Sequence, residues 1–401
     1  MSTEYRTLKI GDIVSVKRGS SPRPIKEYIV DEGIPWVKIS DATSDNTRFI
    51  NNTKEFIKKE GVSKSVIVNK GDLIVSNSAT PGLPKLMNIK ACIHDGWLYF
   101  DNYDGVLKEY LYYYFKYTRS RLVNQANGSV FKNLKTDIVK EFEIKLPSLK
   151  TQRKIVKILQ DLDEKIEFNI KINNNLLEQI KSLYYDICYN YSENSEKYDT
   201  SFGLLPLDYK IITLNELIIK NKDKVESSNY KVLSAVNTGN LVLSDEYFSK
   251  QVFSKDISKY IIVKKGEFAY NPARINIGSI GINDFNFDGC VSPVYVAFNV
   301  KEKYKNFIRM FFKSKTFNIQ VISRSNGSVR QTLNYDDFSM IELILPPENK
   351  IKLFNNLYNI NESIIKHNNT EIERLTKLRD ILLPKLMSGE IDVSNINFDL
   401  E

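Results

Sequence analysis

The residue types that carry most enzymatic chemistry are sparse in this chain of 401 residues. His94 and His367 are its two histidines, and they fall in regions of different character, so we expect neither a histidine-based triad nor a zinc site. Cys92, Cys188 and Cys290 are too far apart for a CxxC metal site, and we expect buried free thiols. The sequence also lacks a phosphate-binding loop of the GxxxxGKS type. We therefore predict no catalytic residue, no metal site and no cofactor bound by this chain.

The chemistry that the chain does offer is hydrogen bonding and positive charge in polar loops. Arg, Asn and Gln can each form paired hydrogen bonds with a base edge, and Lys and Arg bind phosphate. Such residues cluster beside Gly, Ser and Asn, where a backbone can approach a ligand closely. Our candidate DNA contacts are Lys17, Arg18, Arg23, Lys38, Asn77, Lys85, Arg119, Arg121, Lys132, Asn271, Arg274, Arg324, Arg330 and Gln331.

The positive charge is unevenly distributed along the chain. The formal net charge is +8. Residues 1–150 hold 24 Lys and Arg against 17 Asp and Glu, and residues 201–346 hold 19 against 14. Residues 151–200 and 347–401 each hold 7 against 9. Basic segments that alternate with acidic ones indicate two nucleic-acid-binding regions. The alternative is a solvated surface on which the charged residues are distributed by chance.

The same division appears as an internal repeat. "NGSVFKNLKTDIVKEFEIKLP" at 127–147 returns as "NGSVRQTLNYDDFSMIELILP" at 326–346, which is 199 residues later. The match continues past both prolines, so a mixed segment followed by a helical segment occurs twice. We predict a first head at 1–147, a first spacer helix with its linker at 148–200, a second head at 201–346, and a second spacer helix with a C-terminal tail at 347–401.

Both spacer segments carry a heptad pattern, in which apolar residues recur at alternating steps of four and three. No proline interrupts 151–188 or 348–383, and Pro384 with Gly389 predicts the end of the second helix. Two stripes of equal length favour mutual pairing over two helices that each pack on their own domain. The predicted seam residues are Ile155, Leu159, Leu162, Ile166, Asn169, Asn173, Leu176, Ile180, Leu183, Ile187, Phe354, Tyr358, Ile365, Asn368, Ile372, Leu375, Leu382 and Leu386.

The heads have the patterns of mixed α/β domains. "SVIVNKGDLIVSN" and "IIVKKGEFAYN" each predict a hairpin with a Lys-Gly-Asp/Glu turn, and "FEIKLP" and "IELILP" predict closing strands. "VLKEYLYYYFKYTRSRL" and "KNFIRMFFKSKTFNIQVIS" predict helices. We expect their aromatic stripes to form core, and the alternative is a platform for stacked bases.

This order of segments resembles the specificity (S) subunits of type I restriction–modification enzymes. The repeated NGSV phrase before each helix, "GIPWVKISD" at 33–41, "YNPARINIGSIG" at 270–281 and the ending "LRDILLPKLMSGEI" are similar to phrases of that family. The resemblance implies an α+β fold with two mixed α/β target-recognition domains. These are separated by two long helices that pair as an antiparallel coiled coil, and a pseudo-two-fold internal repeat relates the two halves.

The resemblance also implies a function and a set of partners. Each head would read one half of a split, asymmetric sequence in double-stranded DNA, and about 36 helical residues would separate the heads by roughly 54 Å. Two methyltransferase (M) subunits using S-adenosylmethionine would dock on the helices, and restriction (R) subunits using ATP and Mg would join the complex. The widely spaced cysteines suit the cytoplasm, and no apolar run indicates a membrane partner.

Three other functions remain open at this point. One is an S-type subunit of a fused restriction–methylation enzyme that cuts on both sides of its site. Another is a coiled-coil scaffold without a role on DNA, which the segregated charge disfavours. The third is a stand-alone methyltransferase or nuclease. Neither "NPAR" at 271–274 nor "LPPEN" at 345–349 fits the loop with which adenine methyltransferases grip a base.

Overall fold

The structure of the protein is a computed structural model. It describes residues 5–43, 47–126, 133–191, 195–226, 229–248, 250, 253–254, 256–325 and 332–396. Mixed sheets, short helices and two long helices make up these residues. Among them, no helix has the length and apolar character that crossing a bilayer requires. All three cysteines are free and buried, as predicted.

The chain forms two compact units, and the first of them combines two separate stretches of sequence. The first unit comprises Met1–Lys171 together with His367–Glu401, and the second is Ile172–Lys366. Each unit therefore contains one head and a part of both long helices. The predicted four-segment division describes the order along the chain. The domain boundaries of that division stay a prediction. A helix with an apolar seam completes a core only with its partner, so the compact units do not coincide with the four segments.

The first head contains two sheets of five strands within the described residues. Both sheets are mixed, because each contains one parallel pair among antiparallel neighbours. In order across the first sheet, the strands are Ile29–Val30, Glu55–Ile57, Ile34–Val37, Ala91–Ile93 and Val66–Val68. In order across the second sheet, they are Ser15–Arg18, Trp97–Asp101, Leu73–Ser76, Pro84–Met87 and Phe49–Ile50.

The second head repeats this plan with four strands in each sheet within the described residues. One sheet is antiparallel, and the other has a parallel pair at its centre. The strands of the first are Ile218–Asn221, Val296–Val300, Phe268–Tyr270 and Ile280–Ile282. Those of the second are Leu241–Leu243, Lys231–Ala235, Gly289–Val291 and Ile261–Val263.

The predicted hairpins are wrong, although the predicted turns are present. Gly71 and Gly266 have the positive φ values, 88° and 79°, that suit glycine in such a turn. The strands on either side of each turn do not pair with each other, because they belong to different sheets. The physical reason is burial. The strand Leu73–Ser76 is buried at every position, so it lies inside the head and not in an exposed two-stranded ribbon.

The predicted closing strands are confirmed. Glu143–Leu146 pairs antiparallel with Arg6–Lys9 in the first head, and Glu342–Leu345 pairs with Lys210–Thr213 in the second. The first strand of each head is thus held by its last. Because the last strand leads directly into a long helix, this pair fixes where that helix leaves the head.

The predicted head helices are also confirmed, with one difference. The first is continuous over Lys108–Ala126, whereas the second divides into Lys305–Phe311 and Lys315–Arg324. The break occurs at Ser314, whose hydroxyl caps the new helix by accepting a hydrogen bond of 3.1 Å from the Phe317 N–H. The aromatic stripes are core, since Tyr110 through Phe115 are all at most 4% exposed.

Shorter elements complete the two units. The short helices are Ile10–Ile13, Ile39–Ala42, Lys59–Val62, Thr136–Glu141, Ser244–Tyr247 and Tyr335–Ser339. The 3-10 turns are Ile25–Glu27, Leu214–Glu216, Ile275–Ile277 and Glu302–Tyr304. A small strand pair joins Lys197–Tyr198, at the end of the linker, to Leu205–Pro206, at the start of the second head.

The first long helix is Leu149–Tyr189 and the second is Glu348–Ser388, each of 41 residues. Both begin just after a proline, Pro147 for the first helix and Pro347 for the second. The second continues through Pro384, so the predicted end at this proline is wrong. Proline removes one main-chain hydrogen bond, and the helix tolerates that loss here between the buried Leu383 and Leu386. The helix ends at Ser388, and Gly389, the other predicted end signal, follows with a φ of 81°, so that part of the prediction is confirmed.

The long helices pair antiparallel within each unit. In the first unit, Ile155 and Leu159 share a core with Leu383 and Leu386, near the end of the second helix. The C-terminal tail joins this core through Val393, which is 1% exposed. In the second unit, residues late in the first helix, such as Tyr184, pack with Phe354 near the start of the second. Early residues of one helix therefore meet late residues of the other, as the predicted coiled coil requires.

Candidate nucleic-acid interface

The best-defined polar cluster of the first head is centred on Asp95, which follows the strand Ala91–Ile93. Arg18 Nε donates to the Asp95 main-chain oxygen at 2.7 Å, and Asn77 Nδ2 donates to the same oxygen at 2.9 Å. The Asp95 carboxylate accepts from the Ser21 hydroxyl at 2.7 Å and from Arg23 at 3.4 Å. Three sequence-predicted residues, Arg18, Arg23 and Asn77, are thus brought together by a residue that was not predicted.

The charge of Asp95 is stabilised in this setting. Partial burial works to raise the pKa of its carboxyl group. The Ser21 hydrogen bond and the positive charge of Arg23 outweigh burial, so the pKa lies below its usual range. Asp95 is therefore an ionised hydrogen-bond acceptor at neutral pH, and its side chain keeps 42% of its surface exposed to a ligand.

A concave cavity of about 430 Å³ lies beside this cluster. Trp36, Lys38, Ser78 and His94 are among the residues that line it. Burial lowers the pKa of His94, more than the nearby Asp95 raises it, so the imidazole is neutral at pH 7. Its Nδ1 accepts a hydrogen bond of 2.8 Å from the Gly96 N–H. A side chain at Gly96 would lie 2.1 Å from the His94 ring, so glycine is required for this close approach.

Asn77 connects the cluster to the segment that follows the repeated phrase. It is 3% exposed, and its main-chain oxygen accepts a hydrogen bond of 2.8 Å from the Leu134 N–H. Its side-chain Oδ1 is buried without a hydrogen-bond donor among the described residues. With Arg18, Asn133 and Lys135, Asn77 lines a second cavity of about 440 Å³.

The second head makes the same main-chain connection with different side chains. Leu333, which corresponds to Leu134 in the repeat, donates from its N–H to the Pro272 main-chain oxygen at 3.1 Å. Pro272 lies between the predicted residues Asn271 and Arg274. The Asn271 side chain accepts from the Ala273 N–H at 3.0 Å and shapes the turn, while Arg274 is exposed. In both heads, therefore, the loop after a central strand contacts the segment after the NGSV phrase.

Three further predicted residues are accessible but already have contacts. Lys17 is exposed and forms a 2.7 Å ion pair with Asp101. Lys38 pairs with Glu55 at 2.5 Å. Arg121 is exposed and stacks over the Phe142 ring at 5.6 Å. Exposed ion pairs contribute about 0–1 kcal/mol, so a phosphate can replace the carboxylates beside Lys17 and Lys38 at little cost.

Two predicted residues have structural contacts inside the first head. Lys85 is 4% exposed, and its ammonium donates to the Thr47 main-chain oxygen at 2.6 Å, so we no longer retain it as a contact with DNA. Arg119 is half-buried and donates to the Pro81 oxygen at 3.1 Å, which holds the loop that follows Asn77.

The remaining predicted residues lie elsewhere or are outside the described chain. Arg324 is half-buried and lines a separate cavity of about 370 Å³ with Phe202 and Glu342. Lys132, Arg330 and Gln331 lie outside the described residues.

The sequence reasoning missed Asp95, Ser21, His94 and Trp36. A signal was present in "IHDGW" at 93–97, where polar residues interrupt two buried apolar positions. A polar insertion of this kind at the end of a buried strand is typical of a binding loop.

The cluster offers hydrogen-bond donors, an ionised acceptor and positive charge, which are the groups that recognise base edges and phosphates. Within the described ranges, no group of three or more His, Cys, Asp and Glu side chains could hold a metal ion.

Every predicted seam residue lies on one of the two long helices at a buried or half-buried position. The buried ones are Ile155, Leu159, Ile166, Asn169, Asn173, Ile180, Ile187, Phe354, Tyr358, Asn368 and Leu386. The half-buried ones are Leu162, Leu176, Leu183, Ile365, Ile372, Leu375 and Leu382.

Comparison with known proteins identifies similar sequences and folds. Residues 3–178 match the family described as "Type I restriction modification DNA specificity domain". The chain is 27% identical to the type I restriction enzyme MjaIX specificity subunit of Methanocaldococcus jannaschii, over 98% of this chain and 95% of that protein. It is 20% identical to the MjaVIII specificity subunit of the same organism, with the same coverage.

A solved structure has a similar fold. The crystal structure of the type I restriction-modification S subunit from M. genitalium covers 96% of both chains with a TM-score of 0.59 and 16% sequence identity.

Proposed function

We propose that this chain is a specificity subunit of a type I restriction–modification enzyme, and that it reads a split, asymmetric DNA sequence with one half-site for each head. The chain itself carries no catalytic group in this proposal. It selects the DNA on which the partner subunits act.

One observation carries the proposal. In each head the same main-chain hydrogen bond, from Leu134 to Asn77 or from Leu333 to Pro272, joins the polar loop to the segment after the NGSV phrase. Similar scaffolds thus carry different loops, "NSATPG" at 77–82 in one head and "NPARIN" at 271–276 in the other. Two equivalent sites with unlike residues fit two half-sites of different sequence.

The Asp95 cluster supplies chemistry for reading bases directly. An ionised carboxylate accepts a hydrogen bond from the N4 amino group of cytosine, and Arg18 or Arg23 can donate two hydrogen bonds to guanine. The net charge of the two heads, +7 for residues 1–150 and +5 for residues 201–346, attracts the phosphate backbone. Phosphate contacts would set the position of each head, and the base contacts would set its specificity.

The helix pair would provide distance and docking. A helix of 41 residues is about 60 Å long, between one and two turns of B-DNA at ~34–36 Å per turn. We infer that this length sets the spacer between half-sites. The repeated frame would bind two M subunits, which carry S-adenosylmethionine and methylate adenine, while R subunits supply ATP- and Mg-dependent translocation and cleavage.

Methylome sequencing tests the proposal. The gene would be expressed with its M subunit in a host that lacks this system, and a second strain would carry M alone. We expect adenine methylation at one split, asymmetric motif in the first strain and none at that motif in the second. A continuous motif, or the same motif without this chain, would contradict it.

A further inference from the structure

Asp163 on the first long helix is a buried charge whose ionic partner comes from the other long helix. It is 2% exposed. Its carboxylate accepts a hydrogen bond of 2.8 Å from the Tyr113 hydroxyl of the first head. It also accepts one of 2.8 Å from Arg379 on the second long helix. A carboxylate removed from water is costly unless it is paired, so this position of the first helix requires a cation opposite it.

A second polar contact joins the same two helices about two turns away. Glu371 on the second helix accepts a hydrogen bond of 2.6 Å from Asn169 Nδ2. Lys165 of the first helix lies 3.7 Å from the same carboxylate. Asn169 is 2% exposed, so its amide also depends on a polar partner across the helix pair.

The internal repeat shows which residues a second copy of the first helix would offer instead. Shifting by 199 residues places Ile180 in the position of Arg379, and Ile172 in the position of Glu371. Both replacements are apolar. Paired with another copy of itself, the first helix would bury Asp163 opposite isoleucine and would leave Asn169 and Lys165 without an acid.

In the second unit, the corresponding acidic residue pairs with an arginine from its own half of the sequence. Glu362 corresponds to Asp163 in the repeat, and it lies 3.5 Å from Arg309 of the second head. Arg309 also donates to Asn240 at 2.8 Å and pairs with Asp284. The arginine beside Glu362 therefore comes from the second head, whereas the arginine beside Asp163 comes from the opposite long helix. The first half of the chain is the one that depends on its partner.

We propose that Asp163, Lys165 and Asn169 select the second long helix of this chain, with its Arg379 and Glu371, against a second copy of the first helix. The two halves are thus unlike partners, although an internal repeat relates them. The apolar seam drives association without distinguishing the two helices, and the polar contacts supply the distinction. This inference concerns the helix pair alone and goes beyond the reading of DNA.

The test uses the full-length chain with a protease site inserted between Asn190 and Lys197. The intact protein is purified and cleaved, and its two fragments are left to exchange with a cleaved copy whose fragments carry mass tags. Native mass spectrometry then counts the pairs. A pair that joins a tagged first-half fragment to an untagged second-half fragment, or the reverse, demonstrates that exchange has occurred. Mild urea is added until such pairs appear. The measured quantity is the ratio of unlike pairs to pairs of two first-half fragments. We expect this ratio to be at least tenfold higher than random assortment gives. Random assortment would overturn the proposal.

Arg379→Ile gives the second helix the residue that the first helix has. We expect this variant to reduce the preference for unlike fragments at least tenfold, because Asp163 then lacks its cation in both kinds of pair. The matched control is Arg374→Ile, at an exposed position of the same helix, which should keep the preference. An unchanged preference in Arg379→Ile would refute the assignment.

Asp163→Asn provides a second variant if Arg379→Ile does not yield folded protein. It removes the buried charge while keeping an oxygen for the Tyr113 hydroxyl. Self-pairing of the first fragment then becomes less unfavourable, so the preference should again fall. A preference as strong as that of the unmodified chain would count against the role of Asp163.

Discussion

Arg48 of the first head and Glu167 of the first long helix form a two-bond ion pair, with Nε–Oε1 and Nη2–Oε2 distances of 3.0 and 2.9 Å. The Arg48 main-chain N–H donates to the same carboxylate at 3.0 Å. Arg48 is 6% exposed. Burial works to lower the pKa of its guanidinium, but Glu167 raises it above its ordinary value. Three bonds to one carboxylate thus hold the head on the helix.

Removing the charge of Glu167 should destabilise the first unit. In Glu167→Gln, Arg48 stays buried without its two-bond ionic partner and keeps only Glu164, at 3.9 Å. We expect a loss of about 3 kcal/mol in the free energy of unfolding. Urea denaturation of the full chain measures this loss. Asp161→Asn, on the same helix with 47% of its side chain exposed and an ion pair to Lys157, is the control and should change the free energy by less than about 0.5 kcal/mol. Equal effects of the two variants would show that the ion pair does not hold the head.

Asp95→Asn should change the first half-site of the methylated motif and leave the second half-site unchanged. The amide replaces a pure acceptor with a group that both donates and accepts, so discrimination at one base should fall by about 1–3 kcal/mol, roughly 5- to 160-fold. Methylome sequencing of the variant with M reports both half-sites at once. Asp104→Asn, at an exposed position of the same head, should retain the original motif. A motif altered in both halves would indicate damage to the whole chain instead of to one reading site.

Lengthening both long helices should lengthen the spacer of the DNA motif. One heptad inserted after Lys171 and one after Lys366 keep the seam in register and add about 10.5 Å. At ~3.4 Å per base pair we expect about three additional base pairs between unchanged half-sites. Seven Gly and Ser residues inserted between Asn190 and Lys197, outside both helices, are the control and should not change the spacer. An unchanged spacer in the double-heptad variant would show that helix length does not determine it.

Acidification should destabilise the first head through His94. Its pKa in the folded chain lies below the ordinary value of about 6.5 because burial disfavours the imidazolium form. The unfolded chain therefore binds the proton more tightly. The stabilising contribution of neutral His94 is complete above pH ~6.5 and is lost as the pH falls toward the folded pKa. Urea midpoints between pH 7.5 and 5 should decline less in His94→Asn than in the unmodified chain. Parallel declines would exclude His94 as the group responsible.

The parts of the fold that follow from local pattern were predictable from the sequence. The heptad stripe and the preceding prolines predict both long helices, because a helix repeats its apolar face every three to four residues. The repeat predicts two equivalent heads, and the closing strands are confirmed. The course of the chain through Pro384 was not predictable, because surrounding core residues such as Leu383 and Leu386 outweigh the loss of one hydrogen bond.

The candidate site was predictable only in part, because its contacts join distant residues. Arg18 and Arg23 were predicted from their basic loop, but Asp95, which organises both, is more than 70 residues away in sequence. Lys85 has the same local signature as a phosphate-binding lysine. Its burial depends on the Thr47 oxygen, 38 residues earlier, and nothing next to Lys85 in the sequence indicates that partner.

The turns at Gly71 and Gly266 have a consequence for the stability of each head. Because each turn passes the chain from one sheet to the other, the strands of the two sheets alternate along the sequence, and no continuous stretch contains one sheet without part of its neighbour. A sheet cannot detach while the other persists, since the same segments supply strands to both. Each head should therefore open as one cooperative unit, in which the amide hydrogens of both sheets become exchangeable with solvent at the same free energy.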